Sequence, residues 1–204
     1  MEHIDLWQYE REAVQAGYTA VCGCDEAGAG PLAGPVYAAA VILPLGLELP
    51  GLNDSKKLTE KRREALFPVI REQALAWSVA SVNAREIDET DILSARMKAM
   101  QLAIDGLGIP ADFALIDGNK DKGRSSAIVS PHRCVVKGDS LSASIAAASI
   151  LAKVSRDHFM LELAEQYPEY RFEQHKGYGT KLHYEMLRAY GPSPIHRRSF
   201  LKNL

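Results

Sequence analysis

The sequence predicts an α/β fold in which helices flank a mixed sheet. Five apolar segments have the length and composition of strands, at residues 18–25, 35–43, 77–82, 113–117 and 134–137. The first strands are joined by short turns, which favours antiparallel pairing, whereas helix-patterned segments separate the later strands, which favours parallel pairing. A sheet that contains both directions and carries helices on its faces fits this order.

Four segments have the spacing of apolar residues that is typical of helices, at residues 3–16, 58–75, 88–107 and 140–166. The third is expected to begin at the acids Asp88, Glu89 and Asp91, because acids favour a helix N-terminus. The fourth is so apolar around residues 145–152 that we expect it to be buried on most sides. We expect one domain over residues 1–204, with a core of about 18–166 and a helical C-terminal segment of about 167–204.

Composition excludes disordered, fibrous and coiled-coil proteins, since 47% of the residues are hydrophobic and 25% are charged. The net charge of −2 does not exclude a nucleic-acid partner. Four acids committed to binding cations would leave the rest of the chain at +2, and the bound cations would themselves attract phosphate.

The chain lacks a secretory signal and any apolar run of the ~20 residues that a membrane span needs. Its three cysteines, Cys22, Cys24 and Cys134, are an odd number, which suggests reduced thiols. We therefore expect a soluble, cytoplasmic protein with no membrane partner.

Asp25, Asp117 and Asp139 each stand at or just after the C-terminal end of an apolar run, and Glu26 follows Asp25 directly. Ligands of α/β sheets bind at that edge, so these four carboxylates are candidates for one site. The alternative is that they are ordinary cap and turn residues. Asp139 in particular would then be the N-cap of the long helix.

Clustered carboxylates stay ionised only with cations between them, and the absence of His and Cys from the set favours Mg²⁺ or Mn²⁺ over zinc. Two such ions promote phosphodiester displacement, so the acids indicate phosphoryl chemistry. Adjacent strand residues point to opposite faces, however. Asp25 and Glu26 both reach the site only if the strand ends or bulges at Gly28 and Gly30, turning the Glu26 carboxylate or its backbone carbonyl.

Seven motifs resemble those of type 2 ribonuclease H, the ribonuclease HII family, and occur in that family's order over roughly residues 18–200. They are DEAGAGPLAGPV at 25–36, NDSKKL at 53–58, IDGN at 116–119, VKGDS at 136–140, AASILAKVSRD at 147–157, HKGYGT at 175–180 and PIHR at 194–197. The resemblance implies a ribonuclease H-like fold with a mixed five-stranded sheet. It also implies endonucleolytic cleavage of RNA in RNA/DNA hybrids and at single ribonucleotides in duplex DNA, leaving a 5′-phosphate and a 3′-hydroxyl.

The resemblance also assigns roles to residues. Asp25, Glu26, Asp117 and Asp139 correspond to the catalytic, metal-binding acids. Residues 28–30 would supply backbone groups at the ribonucleotide, and Tyr178 would pack on the sugar of the next deoxynucleotide. Lys56, and less certainly Lys57, would reach phosphate. Asp157 is an accessory acid in this comparison, or else an exposed helix residue paired with Arg156 or Lys153.

The departure from the family pattern is Ala29, because the family has a basic residue between the two glycines. A lost charge-assisted contact costs on the order of 1.5–3 kcal/mol. Our hypothesis is that Ala29 leaves metal binding intact and weakens affinity or specificity for the junction between ribonucleotide and DNA.

Three other functions are alternatives to a nuclease. Residues 28–33 satisfy the dinucleotide-binding pattern, but that motif opens a helix, whereas a strand is predicted at 35–43. A non-catalytic protein that binds RNA/DNA hybrids would not need four clustered carboxylates. A zinc or redox site at the cysteines is disfavoured, because Cys22 and Cys24 at alternate strand positions are explained as small side chains buried in the core. The last residues, 201–204, show no sliding-clamp motif, so no clamp partner is expected through this tail, and we expect a monomer.

Overall fold

The computed structural model describes residues 5–201, and its centre is a five-stranded sheet in the order β3-β2-β1-β4-β5. The strands are β1 (Val21–Ala27), β2 (Val36–Ile42), β3 (Ala76–Val82), β4 (Phe113–Asp117) and β5 (His132–Val135). The first three pair antiparallel, whereas β4 is parallel to both β1 and β5. The prediction of a mixed five-stranded sheet is confirmed.

Two strand boundaries differ from the predicted ones where the acids lie. Strand β1 continues through Asp25 and Glu26 to Ala27, because its pairing with β2 continues in regular register to Tyr37. Strand β5 occupies residues 132–135 instead of 134–137. The chain leaves the sheet at Lys137, whose φ of 57° is left-handed and turns it into a short 3₁₀ turn over Gly138–Ser140.

The helices are α1 (Gln8–Gln15), α2 (Glu60–Gln73), α3 (Ala84–Glu89), α4 (Ile92–Asp105), α5 (Ala143–Gln166), α6 (Phe172–His175) and α7 (Lys181–Tyr190). Residues 3 and 4 of the predicted first helix lie outside the described residues, and residues 5–7 precede α1. Between residues 5 and 201, no helix has the length and hydropathy required to cross a membrane.

The helix predicted over residues 88–107 is two helices. Asp88 and Glu89 end α3, and only Asp91 lies at a helix start, where its carboxylate accepts from the backbone N–H groups of Leu93 and Ser94. Acidic residues occur at the end of a short helix as well as at a helix start. The predicted boundary, which rested on these acids alone, was therefore wrong.

Successive residues of β1 face opposite helical layers. Cys22 and Cys24 pack in one core with α4, whereas Val21 and Ala27 face the layer that α5 occupies. Gly23 faces α5 as well, and a Cβ at this position would overlap the α5 backbone at Ser144 and Ile145. The missing side chain therefore lets α5 cross directly over β1.

The C-terminal part is helical, as predicted, and covers the far end of α5. Its core contains Met160 and Leu163 of α5, Tyr170, Phe172, and Leu187 of α7. Leu32 and Ala33, from the connection between β1 and β2, lie in the same core. The C-terminal part thereby supports the glycine-containing segment that follows the first two acids.

Candidate metal centre and nucleic-acid interface

Asp25, Asp117 and Asp139 converge at the carboxyl edge of the sheet. One carboxylate oxygen from each lies within 4.8 Å of the others. The convergence follows from the topology, because the parallel neighbours β1 and β4 both end here, and the 3₁₀ turn after β5 brings Asp139 over the same edge. The backbone N–H of Asp139 donates to Asp117 Oδ1 at 3.3 Å.

Glu26 lies on the opposite face of β1, and its side chain does not join this cluster. Its Oε1 forms an ion pair with Arg96 Nη2 of α4 at 2.6 Å. The bulge expected at Gly28 and Gly30 to redirect Glu26 is not observed, because β1 stays regular through this residue. Glu26 Oε2 and Arg96 Nε are nevertheless buried and have no hydrogen-bond partner within residues 5–201.

The carboxylates of the cluster repel one another and are buried or half-buried, so a bound cation would stabilise their ionised form. Burial, together with the charges of Glu26 and Asp117, raises the pKa of Asp25 well above its ordinary value. Burial and the neighbouring Asp139 also raise the pKa of Asp117. Three carboxylate oxygens on rigid elements fit a hard divalent ion such as Mg²⁺ or Mn²⁺.

Lys56 is the cation that the structure places against this cluster, with Nζ 3.3 Å from Asp139 Oδ2. Burial would lower the pKa of Lys56, but the carboxylates of Asp25 and Asp139 outweigh it, so that the pKa is raised. Asp54 caps the short turn that carries Lys56, and Ser149 Oγ of α5 accepts from the N–H of Ser55. Lys56 therefore lies beside the acids, and its contact with phosphate stays a prediction.

Of the alternatives for two neighbouring acids, the helix cap at Asp139 is wrong, and for Asp157 the pairing with Lys153 is observed but the exposure is not. Asp139 does not cap the long helix, because Ser142 is the N-cap of α5 and accepts from the N–H of Ile145. Asp157 is buried, not exposed, and its carboxylate accepts from Lys153 Nζ at 2.7 Å. The group of potential metal ligands found among residues 5–201 does not include Asp157. Lys57 donates to Ser140 Oγ at 2.8 Å beside the same turn.

Residues 28–30 form a tight turn between β1 and β2. Gly28 has a φ of 93°, and a Cβ there would overlap the guanidinium of Arg156, whereas Gly30 is exposed and faces open space. The turn leads into β2 and not into a helix, so the dinucleotide-binding alternative is wrong.

Tyr178 lies on the loop between α6 and α7, and 42% of it is exposed. Its ring is 5.7 Å from the Arg156 guanidinium and 5.8 Å from Lys153 Nζ, measured to the ring centroid. These two cations therefore lie within cation–π distance of an aromatic ring that is partly exposed.

Behind Tyr178, His183 and His196 are buried and share a hydrogen bond of 2.9 Å between their Nε2 atoms. His183 Nδ1 contacts the Tyr178 carbonyl, and His196 Nδ1 accepts from the N–H of Ser193. One arrangement satisfies all three bonds: His183 donates to Tyr178, His196 donates to His183, and both rings are neutral. Burial accordingly lowers the pKa of each ring to about 4.

This pair makes stability depend on pH below neutrality. Between pH 6.5, the ordinary histidine value, and pH 4 the unfolded chain binds protons that the folded chain does not, so stability falls as the pH falls. We expect the contribution of this pair to the free energy of unfolding to drop by roughly 2–4 kcal/mol from pH 7 to pH 5. Urea unfolding of the wild type and of His196→Gln at the two pH values tests this contribution.

His196→Gln should flatten that pH dependence, whereas His158→Gln should not. His158 is exposed and pairs with Glu64, so its loss leaves the buried pair unchanged. An equal pH dependence in the wild type and His196→Gln would contradict the assignment of two neutral rings.

The cysteines are free thiols, and Cys22 and Cys24 are wholly buried in the core with α4, as expected from their alternate strand positions. Burial raises the pKa of Cys22 to about 12, which keeps it protonated. No group of potential metal ligands among the described residues contains a cysteine.

Three arginines of this region were not predicted from the sequence as functional candidates. Arg96 pairs with Glu26, and Arg156 and Arg197 are fully buried beneath residues 28–35. Arg156 and Arg197 lie within motifs that resemble those of the family, and this position could have marked them as functional candidates. Hydrophobic patterning does not indicate that their guanidinium groups are buried.

The sheet order, the flanking helices and the acidic edge define a protein with a ribonuclease H-like fold. The ribonuclease H2 of Pyrococcus horikoshii OT3 superimposes with a TM-score of 0.72 at 26% identity, covering 89% of this chain and 93% of that chain. Ribonuclease HII of Archaeoglobus fulgidus, solved in a complex with PCNA, superimposes with a TM-score of 0.72 at 25% identity, covering 88% and 94%.

Sequence comparison resolves the family within this fold. The model of the family described as Ribonuclease HII matches residues 22–203. The ribonuclease HII of Caldicellulosiruptor bescii is 49% identical over 203 residues, which are 100% of this chain and 97% of that protein. The chain belongs to the ribonuclease HII family and is a ribonuclease H, a hydrolase with endonuclease activity.

Proposed function

We propose that this chain hydrolyses the RNA strand of RNA/DNA hybrids and nicks duplex DNA at embedded ribonucleotides, leaving a 5′-phosphate and a 3′-hydroxyl. The observation that carries the proposal is the convergence of Asp25, Asp117 and Asp139 at the sheet edge, beside Lys56. Membership of the ribonuclease HII family supports it.

Asp25, Glu26, Asp117 and Asp139 are the proposed catalytic ligands of two divalent ions, Mg²⁺ or Mn²⁺. Such ions, when bound, activate the attacking water and stabilise the charge on the leaving oxygen. The three aspartates hold their positions through β1, β4 and the turn after β5, so little rearrangement is needed on their side. Glu26 would bind an ion in this proposal only after its carboxylate leaves Arg96, because its side chain lies on the opposite face of β1 from the three aspartates.

The remaining residues bind and orient the nucleic acid. Lys56, whose side chain is 75% exposed, neutralises phosphate near the scissile bond. The exposed part of Tyr178 packs against the sugar that follows the ribonucleotide. Backbone groups of residues 28–30 contact the 2′-hydroxyl of the ribonucleotide. This contact distinguishes RNA from DNA, because a deoxyribose lacks that hydroxyl.

The decisive test uses three 5′-labelled duplexes: DNA with one ribonucleotide, an RNA/DNA hybrid, and DNA alone. Each is incubated with Mg²⁺, with Mn²⁺ and with chelator. We expect metal-dependent nicking at the ribonucleotide, cleavage along the hybrid, and intact DNA. Binding without cleavage under all conditions would contradict the proposal and indicate a non-catalytic hybrid-binding protein.

Ala29→Arg should strengthen recognition of the junction. Ala29 is half-buried beside the exposed Gly30, where a long basic side chain can extend to solvent and reach a phosphate. One charge-assisted contact is worth roughly 1.5–3 kcal/mol, so we expect KM for the single-ribonucleotide duplex to fall by at least about tenfold. Steady-state kinetics in Mg²⁺, with Ala29→Gln as an uncharged control of similar length, measure this. An unchanged KM in Ala29→Arg would contradict the hypothesis.

We further propose that the chain acts in the cytoplasm as a monomeric single domain, without a clamp contact through its last residues. The core shared by α5, the C-terminal helices and residues 32–33 supports one folding unit. Residues 202–204 lie outside the described residues, so the tail is judged from its sequence alone. Size-exclusion chromatography with light scattering, with and without a sliding clamp, tests the monomer and the missing contact.

A further inference from the structure

Two fully buried arginines, Arg156 and Arg197, lie beneath the segment that links β1 to β2. Neither forms an ion pair with a carboxylate in the part of the chain that the structure describes. Both instead donate to backbone carbonyls. A buried guanidinium without a carboxylate is costly unless its five N–H groups find acceptors, so this arrangement depends on the carbonyls being presented to it.

Arg197 holds the connection between β1 and β2 by three hydrogen bonds, two of them to the turn at residues 28–30. Its Nη2 donates to the Gly28 carbonyl at 2.7 Å, its Nη1 to the Ala29 carbonyl at 2.9 Å, and its Nε to the Gly34 carbonyl at 2.9 Å. Two successive carbonyls are thus turned inward toward one guanidinium.

The inward carbonyls determine where the next N–H groups point. No peptide bond of the described chain is cis, and in a trans peptide the carbonyl and the following N–H point in opposite directions. The N–H groups of Ala29 and Gly30 therefore point away from Arg197. Within residues 5–201 neither donates to a protein acceptor, and Gly30 is exposed. Two adjacent free N–H groups make a concave donor site for an anionic or hydroxyl oxygen.

Arg156 connects the same turn to Tyr178. It donates to the carbonyls of Ala33, Pro35 and Lys176, at 3.2, 3.1 and 3.1 Å. Its guanidinium also lies directly under Gly28 and 5.7 Å from the centre of the Tyr178 ring. The turn and the tyrosine, the two elements that would contact the nucleic acid, therefore rest on one buried side chain.

We propose that Arg197, supported by Arg156, is a positioning residue that fixes the N–H groups of Ala29 and Gly30 as the donor pair for the ribonucleotide. This inference rests on the proposed function and deepens it. It implies that the conformation of residues 28–30, and with it the preference for a ribonucleotide, depends on Arg197.

Lysine cannot replace Arg197 in this role. An ammonium group lacks the planar fork that contacts three carbonyls in fixed directions. Burial and the nearby charge of Arg156 lower the pKa of Arg197 to about 9. Arg197→Lys retains the charge and loses the geometry.

The test removes single N–H groups by backbone esters introduced through semisynthesis. Lactic acid replaces Ala29 and glycolic acid replaces Gly30, each exchanging one N–H for an oxygen. Glycolic acid at Gly46, a glycine in open space beyond the opposite end of β2, is the matched control. Affinity is measured by fluorescence anisotropy in chelator, for a duplex with one ribonucleotide and for the same duplex in DNA.

We expect each ester at positions 29 and 30 to reduce the preference for the ribonucleotide by about tenfold, as the loss of one hydrogen bond would. The Gly46 ester should keep the wild-type preference. Arg197→Lys should reduce the preference and raise KM, while its Mn²⁺ affinity, measured by calorimetry without nucleic acid, stays that of the wild type.

An undiminished ribonucleotide preference in both esters, or in Arg197→Lys, would overturn the inference. Loss of Mn²⁺ affinity in Arg197→Lys would also overturn it, because the effect would then be a general loss of structure. A wild-type protein that cleaves no substrate would refute the proposed function itself, and the two failures are therefore distinguishable.

Discussion

Asp25→Asn should abolish cleavage and at the same time stabilise the ion-free protein. Asp25 is almost completely buried, and burial with the charges of Glu26 and Asp117 raises its pKa. An acid with a raised folded pKa destabilises the fold increasingly as the pH rises above its unfolded value. At pH 8 the neutral amide removes this penalty, which we expect to add on the order of 2 kcal/mol to the free energy of unfolding.

The same substitution removes a ligand from the proposed metal centre. We expect the cleavage rate in Mg²⁺ to fall by at least about 10³-fold, since several kcal/mol of transition-state stabilisation depend on the ions. Thermal unfolding with chelator and with Mg²⁺, together with cleavage rates, measures both effects. The ions should stabilise the wild type strongly and Asp25→Asn weakly.

Asp112→Asn is the matched control at the other end of β4. Burial alone would raise the pKa of Asp112, but hydrogen bonds from Thr19 and Ala20 outweigh it and lower the pKa. Its neutralisation should destabilise the protein and leave cleavage unchanged. A stability loss in Asp25→Asn, comparable with that of Asp112→Asn, would contradict the repulsion assigned to the acidic cluster.

Gly23→Ala should destabilise the protein strongly, although it adds only one methyl group. The added Cβ would overlap the backbone at Ser144 and Ile145, and helix backbone cannot move aside as a flexible side chain can. Such overpacking costs about 3 kcal/mol, and α5 must move away from β1 to accommodate it. Urea unfolding at pH 7.5 measures the loss.

The displacement should also reach the acids. Asp139 lies on the turn that leads into α5, whereas Asp25 lies two residues beyond Gly23 on β1. We therefore expect Mn²⁺ affinity to fall together with stability. Gly108→Ala, where the new Cβ meets open space, is the control and should change stability by less than about 1 kcal/mol. Equal stability of the two variants would contradict the close crossing of α5 over β1.

Much of the fold and part of the site follow from local pattern. Asp25 and Asp117 end apolar runs, and parallel strands end at one edge, so their meeting was predictable without the structure. The alternation of strand residues places Glu26 on the opposite face from Asp25 if β1 stays regular. Whether β1 stays regular depends on its pairing with β2, which continues as far as Ala27 and cannot be predicted from one strand alone.

The support of the site was not predictable, because it is non-local. Arg197 donates to carbonyls of Gly28 and Ala29, nearly the whole chain away, and the turn offers no side chain that marks it as an acceptor. The neutral pair of His183 and His196 likewise exists only once α7 and the segment after it are packed together. Hydrophobic periodicity predicts strands and helices. It does not detect a polar side chain that can be buried because it forms hydrogen bonds with backbone groups.

The chemistry of the cut ends tests the central claim most directly. A duplex with one ribonucleotide is incubated with the protein and Mg²⁺, and both fragments are analysed by mass spectrometry. In the proposed mechanism, Asp25, Glu26, Asp117 and Asp139 would hold ions that activate water, so the products would be a 3′-hydroxyl and a 5′-phosphate, and chelator would prevent the reaction. A 2′,3′-cyclic phosphate, formed with or without metal, would show that the 2′-hydroxyl is the nucleophile and would contradict the proposed role of the acidic cluster.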